Sequence, residues 1–362
     1  MRENRKKPNV VDVAKAAGVS IATVSRSFNA PDTVRDNVRT RVIEIASRLG
    51  YSPNPAAKAL RLQKTNMMGA VIPTLDYAFF ARLVNSFQEA LSRAGHIAIV
   101  ITTGFDNRHL FEKVQLLVEH GAEGLLLVGR IEDVKLRDYL VEKQIPIVTT
   151  YSYQADEVFP SIGFDNYAAT QQLVRYLLGM GHSEITMIAG RTAGNDRQEA
   201  RVHAFRDTMA AAGLGKTAHV IEKPYVQALS EGAEAMRRID AEYPGTTAVV
   251  CNNDVFAVSV IAECRKRGIC VPEDLSVTGF DDLDLASVLD PQLTTIAVPS
   301  RDMGVRAAEA LLNAVLHRRE IVSVRLETSL VARASTAAPS KARAAMAKRG
   351  KNQSGKRGIS DR

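Results

Sequence analysis

The chain has 362 residues, more than one hydrophobic core usually supports, so two or more domains are expected. A hydrophobic share of 46% and a charged share of 24% exclude an intrinsically disordered chain. No apolar run reaches the roughly eighteen residues that span a bilayer, and the charged N-terminus is not followed by the apolar segment of an export signal. We therefore expect a cytoplasmic protein with no membrane partner. The three cysteines form no CxxC pair, which suits a reducing compartment and gives no zinc-site spacing, and we expect no metal site or other cofactor.

The positive charge of the chain is concentrated at its two ends. Residues 1–66 hold 13 Lys and Arg against five Asp and Glu, and residues 338–362 hold eight against one, whereas residues 67–337 hold 26 against 34. A basic head on an acidic body is the distribution expected when only the head meets DNA phosphates. The segment 338–362 has almost no large apolar residue, so we predict a basic disordered tail there.

Three short helices are predicted at the head of the chain. The first ends at Gly18, and Ser20 stands where a second helix, running to about Phe28, needs an N-cap. A third helix follows Pro31 and ends at Gly50. The apolar stripes that predict a shared core are Val10, Val13, Ala14 and Ala17 in the first helix and Val38, Val42, Ile45, Ala46 and Leu49 in the third.

After this head, two prolines interrupt residues 51–55, and the segment AAKALRL is a good helix former that is too short to be stable alone. From residue 67 the chain alternates between near-continuous apolar strands, the last of them RLETSLVAR, and amphipathic helices, which indicates parallel sheets covered on both faces. Nine or ten such strands exceed one comfortable sheet, so we predict two similar α/β subdomains. The sequence is therefore divided into a three-helix head (1–50), a linker (51–66), a core (67–337) and the tail (338–362).

The spacing of Ala14, Gly18 and Val24 is typical of a helix-turn-helix, in which a small residue lets the helices approach and glycine permits the turn. The motifs DVAxxAGVSxxTVSR and LGYxPNxxAxxL closely resemble the head of the lactose/galactose repressor (LacI/GalR) family, and the similarity continues to about Ala334. The resemblance implies a homodimeric, sequence-specific transcriptional regulator that binds double-stranded operator DNA. It also implies a helix-turn-helix domain (1–50), a hinge helix within the linker (51–66), and a core, similar to periplasmic sugar-binding proteins, that binds a small-molecule effector between its subdomains. The first subdomain is then about 67–164 and 293–322, and the second about 165–292 and 323–337.

The resemblance also assigns the DNA-contacting residues. Ile21, Ala22 and Arg26 match positions that read bases in this family. Apolar Ile21 and Ala22 suit thymine methyl groups, and Arg26 suits guanine O6 and N7. The alternative for Ile21 is burial with Val24 and Phe28. The matching positions that pack or contact phosphate are Ser20, Thr23, Ser25 and Asn29, and those of the hinge helix are Asn54, Ala57 and Leu60.

The comparison with the family gives further expectations for Leu60 and for the start of the third helix. Leu60 matches a family leucine that wedges between base pairs in the minor groove, and its alternative is packing onto the core. The third helix departs from the family because Arg35 replaces the usual capping serine. We expect Asp36 to take over that cap, and Arg35 to gain a phosphate contact.

Polar residues after the predicted core strands are candidates for effector binding, because ligands of open α/β sheets bind beyond the carboxyl ends of the strands. Arg201, Asn253 and Asp281 match the effector-contacting positions of the family, and Asp76 and Phe79, which follow the predicted strand ending in VIPT, are further candidates. These groups suit the hydroxyls of a sugar, and the arginine also suits a carboxylate, so a sugar or sugar acid is the expected effector. The alternative for each Asp and Asn is a helix N-cap.

No motif favours an enzyme. The segment from Gly213 to Thr217, GLGKT, resembles a phosphate-binding loop, but Ala210 stands where that motif needs glycine and the segment follows a helix. The histidines show no HExxH spacing, and no GxSxG motif is present. The alternative to a regulator is a solute-binding protein of a transporter, which the core alone would allow and which requires an export signal.

Overall fold

The computed structural model describes residues 8–52, 64–105, 107, 109–155 and 158–339. The chain forms two compact units, residues 1–65 and residues 66–362. Within the described ranges, no helix has both the length and the apolar character to cross a membrane, and no group of three or more His, Cys, Asp or Glu side chains is placed to hold a metal ion. Apart from residues 338 and 339, the predicted tail lies outside the described residues.

The described part of the first unit, residues 8–52, folds as a bundle of three α-helices. Its helices are α1 (Val10–Ala17), α2 (Ile21–Asn29) and α3 (Asp36–Leu49). As predicted, Gly18 and Gly50 end α1 and α3 in the left-handed conformation that glycine adopts without steric cost. Of the predicted stripes, Leu49 is exposed. The buried core consists of Val13, Ala14, Ala17, Val24, Val42 and Ala46.

The second unit alternates strands and helices, as the sequence predicts. Its first half contains β1 (Met67–Ile72), α4 (Ala78–Arg93), β2 (Ile97–Thr102), α5 (Leu110–Glu119), β3 (Gly124–Val128), α6 (Val134–Lys143), β4 (Ile147–Thr150) and β5 (Ser161–Gly163). Its second half contains α7 (Asn166–Gly179), β6 (Ile185–Gly190), α8 (Asp196–Ala211), β7 (Ala218–Lys223), α9 (Ala228–Glu242), β8 (Ala248–Cys251), α10 (Asp254–Lys266), β9 (Ser276–Thr278), β10 (Thr295–Ala297), α11 (Ser300–His317), β11 (Val324–Arg325) and β12 (Ser329–Val331).

Ten of these strands form two parallel sheets, each at the centre of a subdomain, and β10 and β12 form a separate antiparallel pair. The first sheet has the order β11-β5-β4-β3-β1-β2, and the second has the order β7-β6-β8-β9. Helices α4 and α11 contribute to the apolar core on one face of the first sheet, and α5 and α6 to the core on the other. In the same way α7 and α8 cover one face of the second sheet, and α9 and α10 cover the other. Burial on both faces explains the near-continuous apolar strands.

One predicted strand and one predicted boundary are wrong. The apolar pattern of RLETSLVAR predicts a single closing strand, with 323–337 in the second subdomain. The structure divides this segment, because β11 pairs with β5 in the first sheet and β12 pairs antiparallel with β10. The chain therefore crosses between subdomains three times, after β5, between β9 and α11, and between β11 and β12.

Candidate functional site

Helix α2 presents a short exposed face at its N-terminal end. The Ser20 hydroxyl caps the helix, as predicted, because its Oγ accepts a hydrogen bond of 3.1 Å from the Thr23 amide. Ile21, Ala22 and Arg26 are exposed, and Ile21 retains 49% of its surface. Ile21 is therefore not part of the buried stripe with Val24, which was its alternative.

The polar residues beside this face are held by local bonds. The Thr23 hydroxyl lies 2.9 Å from the Ser20 hydroxyl, and Asn29 Nδ2 donates to the Ser25 carbonyl at 2.8 Å. A side chain ordered before it meets a ligand loses less entropy on binding. The predicted hinge contacts Asn54, Ala57 and Leu60 lie outside the described residues.

The expectation for the start of α3 is wrong in one respect. Arg35 occupies the N-cap position without a side-chain cap bond, and Asp36 is the first helical residue. Asp36 therefore does not replace the missing capping serine. It lies in the first turn, where its negative charge complements the helix dipole. A cap that the sequence did not predict lies at α1, where Asn9 and Asp12 form a reciprocal capping box.

The second unit contains a cavity between its two subdomains, which we call the effector cavity. Every lining residue follows the carboxyl end of a strand, as expected for open α/β sheets. The volume available to a small molecule is about 20 Å³, which is room for one water, so the subdomains are closed over the site. The lining residues are Phe79, Phe80, Phe105 and Tyr151 of the first subdomain and Asn195, Arg197, Gln198, Arg201, Tyr225, Asn252 and Asp281 of the second.

Arg201 is the most extensively bonded side chain of the cavity. Its Nε donates to Asn166 Oδ1 at 2.8 Å, and its Nη1 donates to the Asn252 carbonyl at 2.7 Å. The guanidinium also lies over the Phe280 ring, with its central carbon 3.6 Å from the ring centre. Only 4% of the residue is exposed, so these contacts compensate the loss of hydration.

Asp281 faces the same cavity from the loop after β9. Complete burial raises the pKa of its carboxyl well above the ordinary value, and the positive charge of Arg201 opposes that rise. The backbone of Asp281 has a φ of 108°, a region that side chains other than glycine rarely adopt. Its amide is held by a 2.9 Å hydrogen bond to the Ile296 carbonyl on β10. The next carboxylate points away, because Asp282 Oδ1 accepts from Arg333.

Aromatic rings close the cavity from both sides. The ring of Phe105, in the loop after β2, stacks on Tyr225 with centroids 4.7 Å apart. Tyr77 donates from its hydroxyl to the Tyr225 carbonyl. Phe79 and Phe80 lie behind Phe105, and the Tyr151 hydroxyl donates to the Phe79 carbonyl at 2.5 Å. The closed arrangement therefore depends on contacts between aromatic residues of opposite subdomains.

Three of the five effector candidates line this cavity and two do not. Phe79, Arg201 and Asp281 form part of its wall. Asp76 is exposed and accepts a hydrogen bond from the Thr74 hydroxyl instead. Asn253 is the N-cap of α10, since its Oδ1 accepts from the Phe256 amide at 2.7 Å, which is the alternative that its position allowed. Its neighbour Asn252 lines the cavity.

Sequence reasoning missed most of the remaining wall. Phe105 and Tyr225 follow β2 and β7, two strand ends at which the sequence indicates no candidate. Arg197 and Gln198 lie one helical turn before Arg201 on the same helix, so the periodicity of α8 was the available signal. Gln198 positions the wall, because its Oε1 accepts from Asn252 Nδ2 at 2.8 Å and from the Gly190 amide at 3.0 Å.

Comparisons with known proteins agree with both units. Residues 9–54 match the bacterial regulatory proteins of the lacI family, and residues 174–336 match a periplasmic binding protein-like domain. Two solved structures share the fold over most of both chains. The Lac repressor dimer bound to operator and the anti-inducer ONPF has a TM-score of 0.81 at 24% identity, covering 92% of this chain and 100% of that one. The transcriptional regulator CelR in complex with cellobiose has a TM-score of 0.64 at 26% identity, covering 91% and 99%.

Curated relatives extend the likeness to sequence. The HTH-type transcriptional regulator DegA of Bacillus subtilis (strain 168) is 31% identical over 301 residues, which is 82% of this chain and 88% of the relative. The HTH-type transcriptional repressor CytR of Escherichia coli (strain K12) is 29% identical over 336 residues, or 90% and 96%. These relatives are transcriptional regulators and not enzymes. The chain belongs to the LacI family of bacterial regulatory proteins and is a DNA-binding transcriptional regulator.

Proposed function

We propose that this regulator is a repressor whose affinity for operator DNA is controlled by a sugar or sugar acid bound in the effector cavity. The observation that carries the proposal is the composition of the wall. Aromatic rings such as Phe105 and Tyr225 suit the apolar faces of a sugar ring, and the amides of Asn195, Gln198 and Asn252 suit its hydroxyls. A cavity that admits one water requires the subdomains to separate before such a ligand enters.

The comparisons support the proposed ligand class. The CelR structure is a complex with cellobiose, which is a sugar. The two proteins are 26% identical, so the ligand itself is not transferred to this chain. The rival function, a solute-binding protein of a transporter, has no place for the helix-turn-helix unit. As a DNA-binding regulator the chain would act in the cytoplasm.

The proposed mechanism couples cavity closure to DNA binding. Three chain crossings join the subdomains. An effector that contacts both subdomains in the closed cavity binds the closed form more tightly, and it therefore raises the population of closed protein relative to open protein. The linker 51–66, with Leu60 as a wedge in the minor groove, would transmit that change by folding more or less readily on DNA. Such coupling is typically worth about 1–3 kcal/mol, or roughly 5-fold to 150-fold in operator affinity.

For DNA reading we propose a homodimer that places two copies of α2 in successive major grooves of a pseudo-palindromic operator. Ile21 and Ala22 then pack on thymine methyl groups, and Arg26 pairs with a guanine. The exposure of these three side chains supports the assignment. Ser20, Thr23, Ser25 and Asn29 surround them with polar groups suited to phosphate.

Selection of binding sites from a random duplex library tests DNA reading. We expect a pseudo-palindromic site, and we expect Arg26→Ala to lose about 1–3 kcal/mol on it and to relax the preference for guanine at one position per half-site. Arg35→Ala is the matched control, because the loss of a phosphate contact weakens binding equally on all sequences. If Arg26→Ala loses the same affinity on every sequence, Arg26 does not read a base.

A thermal-shift screen of sugars, sugar acids and nucleosides on the full chain tests the effector class. A ligand present at a hundred times its dissociation constant stabilises the protein by about 2.7 kcal/mol. We expect a hit among the sugars or sugar acids, and we expect that ligand to change operator affinity in a fluorescence anisotropy titration. Stabilisation by nucleosides alone would refute the proposed class.

A further inference from the structure

Helix α8 carries two buried arginines, one helical turn apart, on the side that faces the effector cavity. Arg197 and Arg201 are 6% and 4% exposed. Burial lowers the pKa of Arg201, the carboxyl of Asp281 opposes that change, and the like charge of Arg197 at i−4 lowers the pKa further. A buried guanidinium is costly unless opposite charge or hydrogen-bond acceptors compensate it. The two arginines differ in how far the protein itself supplies that compensation.

Arg201 is satisfied by the protein. Asn166 and Asn252 accept its hydrogen bonds, the Phe280 ring covers its face, and Asp281 supplies a nearby carboxyl. Its role in this structure is to join elements of the second subdomain. It is therefore poorly placed to form the bidentate carboxylate pair that the sequence suggested for it.

Arg197 has much less support. In the described part of the chain its one ion pair is with the adjacent Asp196, through Nη1 at 3.0 Å. The same Nη1 lies against Gly129, at the end of β3 in the first subdomain, where any side chain would collide with it. The Arg197 guanidinium therefore lies in the cavity wall at the contact between subdomains, with donors available to a ligand.

We infer that the effector is an acid rather than a neutral sugar, and that Arg197 is the residue that selects it by binding its carboxylate. This inference rests on the proposed function, because it names the ligand class of the same cavity. A carboxylate on Arg197 would be bound at the point where the second subdomain contacts Gly129 of the first. It would therefore favour closure as well as binding.

The test compares ligands that differ only in the carboxylate. D-glucuronate with D-glucose, and D-galacturonate with D-galactose, are titrated into the full chain by calorimetry, with thermal shift as a second readout. We expect at least one acid to bind about 10-fold to 100-fold more tightly than its neutral partner, as for a charge-assisted pair. Arg197→Gln should remove this preference, so that the acid and its neutral partner bind with similar affinity. Arg191→Gln, an exposed position on the preceding loop, is the matched control.

Each outcome decides between the inference and the function on which it rests. Equal binding of acid and neutral sugar by the unaltered protein would overturn the inference and leave the proposed function intact. An acid preference that survives Arg197→Gln would overturn the role of Arg197. If Arg197→Gln does not fold, Arg197→Lys, which keeps the charge without the planar fork, should show a reduced preference. If no sugar or sugar acid binds, in this set or in the wider screen, the proposed function fails first.

Discussion

The stacked pair of Phe105 and Tyr225 provides a direct test of how the subdomains are held closed. Phe105→Ala removes the ring whose centroid lies 4.7 Å from that of Tyr225 across the cavity. An aromatic pair in this geometry contributes about 0.5–1.5 kcal/mol beyond its buried area. The closed form should therefore lose roughly 2-fold to 13-fold in population relative to the open form. Phe105 is half-buried in a loop, so global unfolding should change little.

A distance between two labels measures this change. Cys270 is exposed in the second subdomain, whereas Cys251 and Cys264 are buried, so one native thiol is available for a spin label. Glu142→Cys on α6 of the first subdomain supplies the second site, because 76% of its side chain is exposed. Pulsed electron resonance on the full chain should show a longer-distance population in Phe105→Ala. Phe105→Tyr keeps the ring and should restore the original distribution.

The Phe105–Tyr225 pair does not hold the subdomains closed if Phe105→Ala leaves the distances between the labels unchanged. A decrease in unfolding temperature as large as that of a core substitution would mean that the ring stabilises the fold instead. The measured shift in closure sets an upper limit on the change in operator affinity of the same variant. Closure shifted by a given factor cannot change DNA affinity by a larger factor. The sign of the change would show whether the closed form favours or opposes DNA binding.

Three further substitutions test separate parts of the molecule. Ser20→Ala removes the cap on the Thr23 amide and should cost the head about 1 kcal/mol, seen as faster amide exchange in α2, whereas Ser20→Asp should retain the cap. Burial raises the pKa of Asp254 to about 7, so the native chain binds a proton that the unfolded chain releases, and the free energy of unfolding should decrease as pH rises from about 4 to 7. In urea titrations at several pH values, Asp254→Asn should flatten the dependence of the free energy of unfolding on pH. An unchanged slope would show that other groups cause this dependence. Gly129→Ala places a Cβ against the Arg197 guanidinium and should open the cavity in the same label experiment, while Gly213→Ala, with a similar positive φ but open space, controls for backbone strain alone.

The helices of the head could be predicted closely because their limits depend on local chemistry. Gly18 and Gly50 end helices through a backbone conformation that glycine adopts without steric cost, and Ser20 caps through a neighbouring amide. The start of α3 could not be predicted in this way. Asp36 is helical itself, and a helix of 14 residues packed on α1 and α2 forms without a side-chain cap. Tertiary packing replaced the local signal.

The location of the effector cavity could also be predicted, because strand ends follow from apolar runs. Its composition was harder to predict from one chain. Asn252 and Asn253 are adjacent, and a difference of one residue decides whether an amide faces the cavity or caps α10. Phe105 and Tyr225 follow β2 and β7, where the sequence indicates no candidate. Their role depends on a contact between loops of different subdomains, and the apolar periodicity of a sequence segment does not predict such contacts.

The crossings between the subdomains explain why long-range contacts decide the site. Tyr151 and Asp281 both adopt positive φ angles, of 65° and 108°, and both line the cavity close to a crossing. Such a conformation costs a residue other than glycine about 1–3 kcal/mol and persists only where its surroundings enforce it. For Tyr151 the enforcing contacts are the hydrogen bond from Asn166 Nδ2 to its carbonyl and its own hydroxyl bond to Ser300, at the beginnings of α7 and α11. Since Asn166 also accepts from Arg201, the strained wall of the first subdomain and the buried arginine of the second share one partner at a crossing. A displacement of Arg201 would therefore reach the segment that joins the subdomains through this one shared partner.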